Sequence, residues 1–195
     1  MVDPALQDPV VPARWTAEQY LRLVDEGVLG PDDRVELLEG VIVSMAPQNV
    51  PHSAGVARAN QCLTLAVVGR AHVRPQLSFI AGRYSVPEPD IAVIAGGLEV
   101  SDKAHPRDAL LVVEVSDSSL KQDRLTKAPM YAAANLPEYW IVNLRDGCVE
   151  VRRDPDPKER RYRSVATRRR GETIEPVALP DVRIAVDDLL PGGVG

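Results

Sequence analysis

An α/β fold is what the sequence predicts, on three observations. Ile91–Ala95 and Ala109–Ser116 are near-continuous apolar runs, the pattern of central strands covered on both faces. Segments with apolar residues at helical spacing precede and follow them and can supply that cover. A chain of 195 residues with no internal repeat and no dividing linker fits one domain with a substantial core.

Residues 1–14, which carry Pro4, Pro9 and Pro12, are expected to form a flexible arm, and residues 15–190 the domain. Thr16 is the expected N-cap of the first helix, and Trp15 is placed to staple onto Tyr20. Tyr20, Leu21, Leu23 and Val24 give that helix an apolar stripe, and Gly27 ends it. Residues 34–38 and 41–45, joined by Glu39-Gly40, read as a tight hairpin. A longer helix follows Pro51-His52-Ser53 and buries Val56, Ala59, Leu63 and Val67.

Residues 72–80 alternate as a strand, with Val73, Leu77 and Phe79 apolar. Gly82 and the prolines around Glu88 break the chain before the first central strand, and residues 96–108 form a polar loop ahead of the second. A helix is expected over residues 126–135. Pro129 belongs near its start, because a proline in a helix interior costs about 3 kcal/mol. Residues 139–144 and 149–153 form a hairpin across Arg145-Asp146-Gly147. Short strands are expected at residues 161–165 and near Ile184, and Pro191-Gly192-Gly193 is a tail.

The formal net charge of −5 argues against a protein that coats nucleic acid. Its distribution is uneven: between residues 152 and 170 nine arginines and lysines face only Asp154, Asp156 and Glu159. Arg152, Arg153, Arg160, Arg161 and Arg163 are therefore candidates for phosphate contact; a solvated hairpin explains the same pattern. Cys62 and Cys148 match no metal-ligand spacing and read as buried thiols. No apolar run reaches the roughly 20 residues that a bilayer requires, and the acidic N-terminus is unlike a signal peptide. No membrane partner and a cytoplasmic location are expected.

The two central runs each carry one carboxylate, Asp90 at the start of the first and Glu114 within the second. An unpaired polar group buried in such a strand costs roughly 2–7 kcal/mol, and a charge costs more. Side chains alternate across a strand, so Asp90 shares a face with Ala92 and Ile94, and Glu114 with Val112 and Ser116. If the strands are neighbours, both acids come within reach of one cation. Magnesium, or manganese, takes one or two carboxylates and keeps several waters. Metal-activated water is the chemistry of phosphodiester hydrolysis. Lys127 stands close behind as a cation for the transition state, and helical spacing puts Asp123, Lys127 and Tyr131 on one face if their helix begins early enough. Lys121 competes for that role. Glu36 could add a third carboxylate, and His52 and Gln76 are auxiliary candidates. Each has a plainer explanation: a turn cap for Asp90, a structural ion pair for Glu114, an exposed lysine for Lys127, helix entry for His52 and a solvated hairpin acid for Glu36.

Taken together, Val35-Glu36-Leu37-Leu38-Glu39-Gly40, His52, Pro89-Asp90-Ile91-Ala92-Val93, Leu111-Val112-Val113-Glu114-Val115-Ser116, Asp123-Arg124, Lys127-Ala128-Pro129-Met130-Tyr131-Ala132 and Pro137-Glu138-Tyr139-Trp140 resemble the Uma-two family of restriction-endonuclease-like proteins. The resemblance runs from about residue 15 to 190. It implies a PD-(D/E)XK nuclease fold, a mixed central sheet flanked by helices, with Asp90 and Glu114 at the acidic metal positions. The chain departs from the usual nuclease motif at Ser116, which stands where a lysine is expected, so the lysine role passes to Lys127. DNA is the implied partner, and a homodimer would match the two strands of a duplex. A magnesium-dependent nuclease is the leading expectation. The alternative is a non-catalytic binding or interaction protein on the same scaffold. A metal-free two-carboxylate glycosidase comes last, since a single Phe and few other aromatics leave little on which sugars could stack.

Overall fold

The computed structural model describes residues 13–192; most of the expected N-terminal arm lies outside them. Helix α1 (Ala17–Asp25) begins with the anticipated cap. The Thr16 hydroxyl accepts from the Gln19 amide, and the Gln19 side chain accepts from the Thr16 amide, a reciprocal capping box. Trp15 stays 41% exposed and does not join the cluster of Ala17, Tyr20, Leu37, Ile80 and Val86 that anchors the helix. Strands β1 (Val35–Leu38) and β2 (Val41–Ser44) pair across Glu39 and Gly40, both at positive φ (54° and 84°). Two left-handed residues are what a twisted two-residue hairpin needs.

Helix α2 (Val50–Ala66) is capped by the Asn49 side chain, which accepts from the His52 amide. The sheet that follows contains β3 (Ala71–Pro75), β4 (Ile91–Ala95), β5 (Leu111–Ser116), β6 (Glu138–Asn143), β7 (Cys148–Asp156) and β8 (Arg161–Arg169), in that spatial order. Only β5 and β6 run parallel, so the sheet is mixed, and the two apolar runs are neighbours near its middle. One face packs on α2 through Val56, Ala59, Leu63, Val93, Val113 and Trp140. The other carries Ala92, Val112, Tyr139 and Ile141 against α4 (Ala128–Ala133). Two short strands, β9 (Thr173–Ile174) and β10 (Ile184–Ala185), and α5 (Val186–Leu189) close the α2 side.

Several boundaries differ from expectation. The strand expected over residues 72–80 stops at Pro75, because Gln76 turns to φ 51° and donates its amide to the carbonyls of Pro89 and Asp90. The helix expected over residues 126–135 begins at Leu120. It runs as α3 (Leu120–Gln122), a π-helical segment (Asp123–Lys127) and α4. In the wide turn the Ala128 amide donates to the Asp123 carbonyl five residues back. The α-helix then restarts with Pro129 in its first turn, where a missing N–H costs nothing. Strands β7 and β8 run past their expected limits. Their outer halves are held by cross-strand ion pairs, Arg163 to Asp154 and Asp156, and carry no apolar alternation.

Gly55 shows how closely α2 lies on the sheet. A Cβ at that position would stand 2.7 Å from Val115 Cγ1 and 3.4 Å from a Leu144 methyl. Val115 is buried and β-branched, so it has little room to move. Gly55→Ala is expected to destabilise the protein by about 1–3 kcal/mol through overpacking, despite the better helix propensity of alanine. Urea denaturation measures it.

Candidate active site

Asp90 and Glu114 lie on the face of the sheet that α4 covers. The register of β4 with β5 pairs Ile91 with Val113, and one step further brings Asp90 alongside Glu114. The two residues are tied crosswise. The Val115 amide donates to Asp90 Oδ2 (2.8 Å), and the Asp90 amide points at Glu114 Oε2 (3.4 Å). Asp90 is 7% exposed and Glu114 3%.

Glu114 Oε1 accepts from Lys127 Nζ (2.9 Å) and from the Tyr131 hydroxyl (3.1 Å). Lys127 Nζ also lies 3.8 Å from Glu36 Oε2, which accepts from the Glu88 amide (3.2 Å). Asp123, one turn before Lys127, is buried and accepts from the Ser119 hydroxyl (2.7 Å). His52 Nε2 meets Asp90 Oδ2 at 3.1 Å, while His52 Nδ1 is buried with no partner among the described residues. Gln76 reaches Asp90 Oδ1 only at 3.5 Å.

The structure thus brings together Asp90, Glu114, Lys127, Glu36, His52 and Gln76, all lining one cavity with Asp123. Lys121 points to solvent, which leaves Lys127 as the lysine of the site. Asp123 and Tyr131 complete the cluster. Their spacing to Lys127 is visible in the sequence, and the early start of their helix turns it into shared geometry.

The arginines are not brought to the same place. Arg152 is paired with Glu150 (2.7 Å), Arg153 with Glu138 (2.7 Å), Arg160 with Glu39 (2.8 Å) and Arg163 with Asp154 and Asp156. Arg161 opens β8, the sheet edge opposite β3, and none of the five lines the cavity. Their charge is spent largely on acids of the chain itself, which weakens their case as a phosphate-binding surface.

Three carboxylates, from Glu36, Glu114 and Asp123, act on the Lys127 ammonium, and Asp90 is tied to Glu114 beside them. Burial dominates the titration of the cluster. Burial pushes the Glu114 carboxyl up to about 8, against the pull of Lys127. Burial likewise raises Glu36 and Asp123, with Lys127 again opposing. Burial disfavours the Lys127 ammonium, but Glu114, Glu36 and Asp123 overcome it and hold the amine well above its usual range. His52 is raised chiefly by its hydrogen bond to Asp90.

Groups raised in the folded state bind protons that the unfolded chain has already released. Their stabilising contribution is complete below the ordinary carboxyl value of 4.5 and is lost as pH climbs through the folded value, about 8 for Glu114. In chelator, the melting temperature is therefore expected to fall as pH rises across that window, as calorimetric scans at a series of pH values would register.

Among the described residues no group of three or more His, Cys, Asp or Glu side chains is arranged to hold a metal ion unaided. The donor chemistry nonetheless fits magnesium or manganese. Both are hard ions that take carboxylate oxygens and fill remaining positions with water or substrate. Asp90 and Glu114, side by side on neighbouring strands, are the pair that could hold such an ion.

A family model described as "Putative restriction endonuclease", Uma2, matches residues 17–187. No curated protein matches the chain. Among solved structures, a crystal structure described as "a putative nuclease belonging to DUF820" from Anabaena variabilis ATCC 29413 superimposes with a TM-score of 0.70. It shares 17% identity over 89% of this chain and 96% of the other, a likeness of fold. The mixed sheet with helices on both faces is restriction-endonuclease-like, as the resemblance in the sequence implies. Among the described residues no helix is long and apolar enough to cross a membrane.

Proposed function

The chain belongs to the Uma2 family, and from that premise we propose that it is a divalent-metal-dependent nuclease hydrolysing phosphodiester bonds of DNA. The observation that carries the reading is the pair of buried carboxyls, Asp90 and Glu114, cross-tied on adjacent strands within a cluster of buried acids around Lys127. These two would hold magnesium or manganese. Such an ion supplies a water of lowered pKa and positive charge for the phosphoryl oxygens.

The protein's own groups do the rest. Tyr131 and Lys127 donate to the same oxygen of Glu114, which fixes the carboxylate and turns Oε2 toward Asp90. An ammonium has three donors; Lys127 gives one to Glu114 and forms a longer ion pair with Glu36. Its remaining donors would serve the attacking water or a phosphoryl oxygen in the transition state. His52 meets the same Asp90 oxygen, Oδ2, that accepts from the Val115 amide, so the two together fix that carboxylate.

Incubation of the protein with supercoiled and single-stranded DNA, with magnesium or manganese and with chelator, tests the reading. Metal-dependent cleavage is expected. Added magnesium is also expected to flatten the decline of melting temperature with pH, because the ion replaces the protons that the carboxylates lose. One observation favours a non-catalytic scaffold instead: Lys127 already occupies Glu114 as its cation. Calorimetry with millimolar manganese separates the two. No heat of binding, together with salt-sensitive DNA binding, would favour the scaffold.

A further inference from the structure

The cavity above the carboxylates is larger than a metal and a phosphate require. It encloses about 700 Å³ and extends from Asp90 and Glu114, past the β1–β2 hairpin and the N-terminus of α2, to a wall made by α1 and the loop behind it. Leu21, Val24 and Leu29 give that wall an aliphatic surface, and Met45, just after β2, also lines the cavity. Val24 is 42% exposed, an uncovered apolar surface inside a recess whose floor is charged. Arg34 lies at the same end, and among the described residues it has no carboxylate within ion-pair distance. Its carbonyl accepts from the Met45 amide, which ties its backbone to the hairpin.

Size and depth together restrict what can enter. Pockets of about 300–1,000 Å³ suit one small-molecule-sized ligand, which leaves room for a nucleotide and its neighbour and too little for a paired duplex. The acids on the floor are almost fully buried, so a phosphate has to descend into the recess rather than pass across its mouth. An unpaired strand can enter such a recess without the unpairing and unstacking energy that a duplex requires.

We propose that the cavity binds single-stranded DNA. One unpaired nucleotide places its phosphate over Asp90 and Glu114 and its base on Leu21, Val24, Leu29 and Met45. Arg34 meets an adjoining phosphate. An aliphatic wall offers every base the same surface and no hydrogen-bond readout, so sequence preference is weak. The proposal rests on the nuclease reading and narrows its substrate to unpaired strands.

Fluorescence anisotropy of the full chain in calcium tests it, with a labelled single-stranded oligodeoxynucleotide and the blunt duplex of the same sequence as probes. The single strand is expected to bind at least tenfold more tightly. Val24→Glu, a change on an exposed helix position, is expected to weaken that binding at least tenfold with no change in melting temperature. Arg34→Gln is expected to weaken it and lower its salt dependence. Duplex binding as tight as that of the single strand, indifference to Val24→Glu, or no binding of either probe overturns the proposal. Cleavage in magnesium is scored separately. A single strand bound tightly yet left uncut removes the nuclease reading and leaves the binding site standing. Internal cutting of the blunt duplex as fast as the single strand does the reverse.

Discussion

Asp90→Asn is expected to lower metal-dependent DNA cleavage by about a hundredfold or more while leaving the fold intact. Changes to groups that merely support a metal ligand cost about 10–100-fold, and Asp90 is proposed as a ligand itself. The asparagine keeps a carbonyl oxygen that can accept from the Val115 amide, as Asp90 Oδ2 does now. Asp90→Ala removes that acceptor as well and leaves a buried N–H without a partner, at about 1–3 kcal/mol. The two variants should therefore be equally inactive but unequally stable. Cleavage of a labelled strand and urea denaturation, run side by side, measure both. Wild-type activity in Asp90→Asn would mean that the reaction happens elsewhere.

Lys127→Met is the second large effect, and it acts on stability first. Taking one member from a buried ion pair costs about 3–5 kcal/mol, because the charge left behind has no compensation. Here Glu114, Glu36 and Asp123 would all lose the cation that lowers them. Their carboxyls would rise further and stay protonated when folded. The loss should grow with pH and be smallest in acid, where the acids are neutral in the wild type as well. Lys127→Met with Glu114→Gln should recover part of the stability and none of the cleavage. Guanidinium denaturation at two pH values, on the single and double variants, decides it. A cost independent of pH would show that Lys127 contributes packing and little charge.

The parts of this molecule written in apolar pattern were legible before the structure. The two central strands, α2, the Glu39-Gly40 hairpin and the Thr16 cap all follow from local rules that their residues obey strongly. The pairing of Asp90 with Glu114 followed once those strands were taken as neighbours. Polar segments were harder to read. The end of β7 extends on charge pairs with Arg163, which apolar alternation does not register, and β8 runs on to Arg169 by pairing with the buried half of β7. Gln76 ends β3 by donating to the start of β4, a tertiary contact with no local signature. The arginines of that region looked available because sequence shows their number and hides their partners. Asp123 belongs to the same class: its burial depends on where its helix begins and on the wide turn that it opens, which propensity does not foresee.

That wide turn has a consequence for how the chain tolerates change in length. A π-helical turn holds one residue more than an α-helical one, so everything beyond it is rotated by about 100° about the axis relative to an uninterrupted α-helix. Excising one residue there, for instance the exposed Leu125, would let the coil relax to ordinary winding. Helix and hydrogen bonds would survive. The azimuth of Asp123 against Lys127 would be reset, while Lys127 and Tyr131, both beyond the cut, would keep their relation to each other and to Glu114. A deletion harmless on most helix surfaces would carry Asp123 away from this amine.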